Sequence, residues 1–321
     1  MNNKEFTVED NIRLDVFLSE KLNESRNQID HLIKKGYVEV SNKKKAKSGL
    51  KLQIGQVIKV ILPEVKKEEV LPVDFDVEIV FEDNDFMVLN KPSGVIVHGA
   101  PSVKEATLVD WLRKKNISLS TISGEERHGI VHRIDKGTSG LLVIAKTNEA
   151  HINLSKQLED KTMGRYYLAL TDLPLKDNIT VTAPLARNPH NRLKIGIVDG
   201  GKMAKTSFVK LALSKNEKYE LIAAKLYTGR THQIRVHLES LQRHILGDLL
   251  YGFKGNIDKL KRVYLHAYCL YLKHPITNKD MSFNVKLPED MDTFFKENFN
   301  EEDYNDKISE SYIINSFTNI N

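Results

Sequence analysis

The chain has 321 residues, 48 lysines and arginines against 43 acids, and one cysteine, Cys269. A lone cysteine excludes an internal disulfide framework and a multi-cysteine zinc site and suits a reducing compartment; the opening residues lack the apolar core of a signal peptide and no apolar run reaches bilayer length, so a cytoplasmic protein without membrane association is expected. The net charge of +5 conceals an asymmetry: Glu289 to Asn321 hold nine acids and two bases, so the rest carries +12 and suits a polyanionic partner, with a solubilising lysine surface as the plainer alternative.

Residues 11–62 read as a small module of two helices followed by strands. Ile12, Leu14, Phe17, Leu18 and Leu22 recur at helical spacing, and Ser25 can cap a second helix from Arg26 to Lys35 whose Ile29, Leu32 and Ile33 share a face before Gly36 stops it. Tyr37 to Val40 and Val57 to Ile61 alternate as short strands around the basic segment of Lys43, Lys44, Lys45, Lys47 and Lys51. Residues 11–60 hold eleven bases and five acids, a net +6. Pro63 to Pro72 has no periodicity and reads as a linker.

Beyond it, Val77 to Phe81 and Phe86 to Asn90 are strand candidates, Thr107 can cap a helix carrying Leu108, Trp111 and Leu112, and Thr147 can cap another from Asn148 to about Asp160. Tyr166 to Thr171, Ala204 to Leu213, Tyr219 to Tyr227 and Val263 to Leu272 favour strands, with a helix from about Arg230 to Leu241 between the last two. The sum is an α+β architecture with a mixed, mainly antiparallel sheet. Past Pro288 the acidic, asparagine-rich composition predicts a mobile tail over 291–321.

The stretch that organises the chain is His128 to Lys146, in which two apolar runs flank a charged turn holding a single carboxylate, Asp135. Gly129 to Val131 lead in as one strand, and Leu141 to Ala145 form a continuous apolar run that suits a strand buried on both faces. No phosphate-binding loop, dinucleotide fingerprint or zinc-protease motif occurs, and His128 and His132 on one strand stand too far apart to share a metal ion, so neither metal nor nucleotide cofactor is expected. A carboxylate enzyme without a cofactor, or a binding protein, remains.

The run HRIDKGTSG resembles the HRLDxxTSG signature of the RluA-type pseudouridine synthases. RYYLAL at Arg165 to Leu170, TGRTHQIRVHL at Thr228 to Leu238, GDLLYG at Gly247 to Gly252, LHA at Leu265 to Ala267 and NKPSG at Asn90 to Gly94 are similar to further motifs of that family. The likeness spans about residues 77–288, and the module before it resembles the S4 RNA-binding domain, the layout of the RluC and RluD type. The resemblance implies a small α/β S4 (αL-like) domain over 1–62, a linker over 63–72 and a catalytic domain of pseudouridine synthase type over 73–290. It further implies structured RNA, and by layout large-subunit (23S) ribosomal RNA, as substrate of a monomeric enzyme.

The same motifs imply the site. Isomerising uridine breaks an N-glycosidic bond and remakes it at C5 without net redox change, so one carboxylate can suffice: Asp135 either attacks C1′ or removes the C2′ proton. The motif places Arg230 as its ion partner and Tyr167 against the uracil, with a hydroxyl for the final proton at C5. Arg235 or His237 then faces RNA or neighbouring structure. His132, Arg133 and Lys136 flank the aspartate as RNA contacts, with a structural role in the loop equally open for His132, and Arg26, Lys34, Lys43, Lys44 and Lys45 are those expected of the S4-like module. Arg165 stands where the family usually has lysine, and His244 where it often has proline. The competing reading is a non-catalytic S4-type ribosome assembly factor; a glycoside hydrolase would need a second, paired carboxylate.

Overall fold

Hydrophobic side chains gather in two compact units, residues 1–71 with 121–128, and residues 72–120 with 129–321. The computed structural model describes the chain apart from residues 1, 23–25, 42–45, 63–71, 100–102, 123–127, 256–259, 261, 319 and 321, and apart from the side chains of 2, 27, 28 and 31. The expected cap Ser25, the lysines Lys43, Lys44 and Lys45, and most of the expected linker therefore lie outside the described residues. None of the described helices is long and apolar enough to cross a membrane.

The first unit comprises β1 (Asn2–Thr7), α1 (Leu14–Leu22), α2 (Arg26–Lys34), β2 (Val38–Val40) and β3 (Val57–Leu62). The strands pair antiparallel in the order β1-β3-β2. Leu14, Phe17 and Leu18 of α1 and Ile29 and Ile33 of α2 meet Val38, Val40, Ile58 and Val60 of the strands in one core. Beside it Asp15, itself buried, accepts from Arg13 at 3.0 Å and from Nη2 of Arg26 at 2.6 Å. The Arg13 hydrogen bond, with Arg26 behind it, holds this carboxyl down at about 2. Lys34 pairs with Asp30 at 2.6 Å, so both described cations expected to meet RNA also serve local ion pairs on an exposed face.

The second unit is built on β4 (Glu78–Glu82), β5 (Phe86–Lys91), β6 (Ser139–Ala145), β7 (Gly164–Thr171), β8 (Ile179–Arg187), β9 (Ile195–Ile197), β10 (Lys202–Leu213), β11 (Glu220–Leu226), β12 (Leu265–Lys273) and β13 (Asp280–Asn284). They form one sheet in the order β4-β5-β6-β12-β7-β11-β10-β8-β9, with β13 also on β12. Every pairing is antiparallel except β6 with β12. There Gly140, at φ +109°, lies against Ala267, whose carbonyl oxygen would stand 2.2 Å from a β-carbon at this position. Glycine lets the strand that follows the Asp135 turn approach β12.

Among the helices that flank this sheet are α3 (Leu108–Lys114), α4 (Asn148–Glu159) and α5 (Gln233–Ser240). Thr107 caps α3 in a reciprocal capping box with Asp110, and Thr147 caps α4 through the amide of Ala150. Both faces of β5 and β6 are covered. Met87, Leu89, Leu142 and Ile144 join a core with Leu108, Trp111 and Leu112 of α3, while Phe86, Val88, Leu141, Val143 and Ala145 join another with Ala150 and Leu154 of α4. This explains the unbroken apolar run of β6.

Two expectations are corrected. Gly129 to Val131 form no strand; Ile130 makes a single bridge to Ile144, and the turn residues Ser139 and Gly140 are instead the start of β6. The C-terminal residues are not a loose tail but α6 (Glu289–Asn298), α7 (Glu301–Tyr304) and α8 (Glu310–Ser316). Met291, Phe295, Phe299, Tyr304, Ile313 and Phe317 are buried in the main core, with Phe295 5.0 Å from Phe299 and Phe317 5.4 Å from Tyr166 between ring centroids. Met291, Phe295 and Phe299 recur every four residues, so acids fill the outer face of a stripe that net charge conceals.

Candidate active site

The turn carrying Asp135 is clamped by the NKPSG loop. Lys91 is fully buried, and its Nζ donates to the carbonyls of Pro92 and Val95 at 2.8 Å and of Lys136 at 3.4 Å. Ser93 Oγ donates to Gly137 O at 2.9 Å, and the Gly94 amide to Lys136 O at 2.8 Å. Burial pushes the Lys91 ammonium down to about 7, although Asp135 pulls the other way. Three donors of one loop thus hold the backbone on which the carboxylate stands.

Asp135 lines a cleft with Arg133, Thr138, Arg165, Tyr167, Arg230 and Arg235, and is the single acid among the cleft's described residues. Its Oδ2 accepts from Nη1 of Arg235 at 3.2 Å. Nε and Nη2 of Arg235 form a fork on Asp248 at 2.6 and 2.8 Å, and Asp248 is only 1% exposed. Burial opposes the charge of Arg235, but the hydrogen bonds and charge of Asp248 outweigh it and raise its pKa, so the guanidinium is a fixed cation bridging two acids. Among the described residues, Oδ1 of Asp135 takes no hydrogen bond and is left to the cleft.

Arg230 is therefore not the ion partner. It is exposed at the cleft's rim, where its Nε donates to Met203 O at 3.3 Å. The helix starts at Gln233 rather than Arg230, and His232 at its N-cap has φ +55°, so the helical phase assumed for Arg230 does not extend to it. Gln233 locks this turn: its Oε1 accepts from Thr228 Oγ1 at 2.7 Å and the Arg230 amide at 2.9 Å, and its Nε2 donates to Thr206 Oγ1 at 2.8 Å. Arg235 comes from the helix proper. Its partner Asp248 stands in the GDLLYG run, so two separated motifs held the signal, but sequence gives no distance between them. His237 is fully buried, its Nδ1 2.9 Å from Thr206 Oγ1, and does not face RNA.

Tyr167 is 4% exposed on β7 and lines the cleft, and burial raises its pKa, so its hydroxyl keeps its proton. Two residues earlier, Arg165 is buried and its Nε has no partner among the described residues; burial lowers its pKa. Gly229 makes room for it, since a β-carbon there would lie 2.8 Å from Nη1 of Arg165. A buried guanidinium nitrogen without a partner is uncommon and sets this arginine apart from the other cations of the cleft.

The flanking cations divide. Arg133 is exposed, with Nη1 3.1 Å from Nε2 of His98. Lys136 is exposed but paired with Glu105 at 2.7 and 2.8 Å. Of the two roles open to His132 the structure supports the structural one over RNA contact: it is buried, its Nε2 accepts the Val143 amide at 3.1 Å, and burial pushes it down to about 3, so it stays neutral. Among the described residues one group could gather a metal ion, Asp83, Asp85 and His274, but the ring of His274 and the carboxylate of Asp83 are already committed. Asp83 Oδ1 accepts two amides, and His274 Nδ1 accepts the amides of Ile276 and Thr277, so its Nε2 carries the hydrogen and donates to Asp83 at 2.9 Å.

Comparison with known proteins places this geometry. Residues 85–240 match the family model for RNA pseudouridylate synthase, and residues 12–58 that of the S4 domain. An uncharacterized RNA pseudouridine synthase of Helicobacter pylori strain J99 is 46% identical over 317 residues, covering 95% of each chain. This chain belongs to the RNA pseudouridine synthase family. Ribosomal large subunit pseudouridine synthase D of Zymomonas mobilis is 40% identical over 283 residues, 85% of this chain and 89% of that one. Among solved structures, human RNA pseudouridylate synthase domain containing 1 superposes with a TM-score of 0.55 at 25% identity, over 66% of this chain and 84% of that one. As a pseudouridine synthase the chain is an isomerase acting on RNA, which decides against the non-catalytic alternative.

Proposed function

We infer that this synthase converts uridine to pseudouridine in large-subunit ribosomal RNA, in the cytoplasm and as a monomer, with Asp135 as the reacting carboxylate. What carries the reading is the single acid among the cleft's described residues, held through Oδ2 by Arg235 with Oδ1 left open to the cleft that Tyr167 also lines. A carboxylate fixed in this way can attack C1′ of the flipped nucleotide or take its C2′ proton, and either route needs only one such group. Tyr167, kept protonated by burial, offers a flat face to uracil and a hydroxyl near the carbon that exchanges its proton. Unstacking the uridine costs a few kcal/mol, which RNA contacts must offset. Exposed Arg133 and Arg230 at the cleft supply phosphate-pairing cations. Support for the ribosomal substrate comes from the S4 match and from the name of the Zymomonas relative.

Asp135→Asn keeps the size and the Arg235 contact but removes the charge. Pseudouridine formation on unmodified ribosomal RNA should vanish while RNA affinity stays within about twofold, since positioning contacts lie elsewhere. Turnover by a folded Asp135→Asn protein refutes the assignment. Mapping pseudouridines in cells with and without the gene identifies the RNA.

A further inference from the structure

Tyr251, 1% exposed, closes a short helical turn three residues after Asp248. Its ring lies beneath the guanidinium of Arg235, 4.7 Å from the centroid, and meets the His232 ring edge-on at 5.4 Å. Its hydroxyl has three neighbours: the Ile195 amide, which donates to it at 2.9 Å, the Ile195 carbonyl at 3.3 Å, and His232 Nδ1 at 2.7 Å. The other ring nitrogen of His232, Nε2, stands 4.0 Å from Oδ2 of Asp135.

A phenol has one hydrogen to give, and two arrangements satisfy these distances. In one, Tyr251 donates to Nδ1 and the ring hydrogen is on Nε2, facing Asp135. In the other, Nδ1 donates to Tyr251, and Nε2 turns a bare lone pair toward a carboxylate. Both use the 2.7 Å contact, and the second also lets the hydroxyl donate to the Ile195 carbonyl at 3.3 Å; but the first sets a partial positive charge against the acid, whereas the second sets two lone pairs against each other. Burial lowers the pKa of His232 despite the attraction of Asp135, so the ring carries one hydrogen rather than two. His232 also has a left-handed backbone at φ +55°, a conformation that non-glycine residues hold at some cost and that recurs at functional sites.

We propose that Tyr251 and His232 are positioning residues for Asp135, the Tyr251 hydroxyl fixing His232 with its hydrogen on Nε2 so that this N–H, together with Arg235, orients Oδ2 and leaves Oδ1 as the reacting oxygen. The proposal rests on the reading of Asp135 as the reacting group. At 4.0 Å the N–H orients the carboxylate electrostatically, and a shift of about 1 Å brings it to hydrogen-bond distance. Because Ile195 belongs to β9, the same hydroxyl also ties this pair to an edge strand of the sheet.

The test uses the full chain with nitrogen-15-labelled histidine. The His232 signals, assigned by their loss in His232→Asn, should show an acceptor-type Nδ1 and a protonated Nε2, and Tyr251→Phe should convert them to a mixture. In single turnover at saturating ribosomal RNA, Tyr251→Phe should slow the reaction about tenfold, the size of one lost hydrogen bond, with unchanged RNA affinity. His232→Asn, a residue that tolerates the left-handed backbone, should slow it similarly, and adding Tyr251→Phe to it should cost nothing more, because both act through one ring. Hydrogen on Nδ1 in the wild type, a wild-type saturated rate for Tyr251→Phe, or additive losses in the double variant would each overturn the proposal. Turnover by Asp135→Asn would overturn the reading of the carboxylate instead, a failure that the ring spectrum does not share.

Discussion

Arg235 holds two acids with one planar fork, and that geometry separates it from every other cation of the cleft. Its removal strands Asp248, which is 1% exposed, beside an unpaired Asp135. Leaving one member of a buried pair uncompensated costs roughly 3 to 5 kcal/mol. Arg235→Ala should therefore lower the melting temperature sharply and abolish turnover. Arg235→Lys should rescue poorly, because a point charge cannot span both carboxylates. Arg230→Ala removes an exposed side chain whose described bond is to a carbonyl, so it should leave the melting temperature unchanged and weaken RNA binding by less than about 1 kcal/mol. Thermal denaturation of the three variants side by side decides between the arginines; a stable Arg235→Ala protein or an unstable Arg230→Ala protein reverses their roles.

At the scale of elements, the C-terminal helices test whether composition or spacing governs order. Phe295 is fully buried among Phe299 and Tyr304. Truncating a buried phenylalanine costs about 3 to 5 kcal/mol, so Phe295→Ala should lower the denaturant midpoint of the catalytic unit, whereas in a mobile tail it would change nothing. The elements best read from sequence are those where local chemistry and burial agree. β6 was legible because both its faces are covered, and α3 and α4 because Thr107 and Thr147 make their caps. β8 was missed because only Ala183 and Leu185 of it are buried and polar residues interleave, and α6 because its acids mask a four-residue apolar stripe. The site divides in the same way. Asp135 and Tyr167 lie within contiguous motifs that bring them to the cleft, but the partner of Asp135 depends on where α5 begins and on Asp248, thirteen residues from Arg235. That spacing carries no local signal. Even the departure at His244 is absorbed locally: its amide and Nδ1 both meet Asp172 at 2.8 Å, securing the end of β7 where a proline would have offered no donor.

At the scale of the molecule, the expected RNA anchor and the chemistry occupy different units. Every residue proposed to act on uridine belongs to the second unit, while residues 11–60 of the first carry a net +6 and no candidate nucleophile. The second unit has its own cores and its own clamped site, so a chain lacking residues 1–62 should fold and convert uridine slowly. Its affinity for long structured RNA should fall, and with it the salt dependence, because each phosphate contact contributes about 0.7 to 0.9 to the slope of log affinity against log salt. Neutralising Lys43, Lys44, Lys45 and Lys47 together in the full chain should reproduce part of that loss. Arg26→Ala should act in two ways, since it removes an exposed cation and also one of the two arginines on Asp15. Its effect on binding therefore has to be read beside the melting curve of the same variant. Measuring affinity for ribosomal RNA at several salt concentrations separates these contributions. If the truncated chain binds with the affinity and slope of the full chain, the first unit is not the RNA anchor, and its lysines are the solvated surface that a basic composition alone would allow.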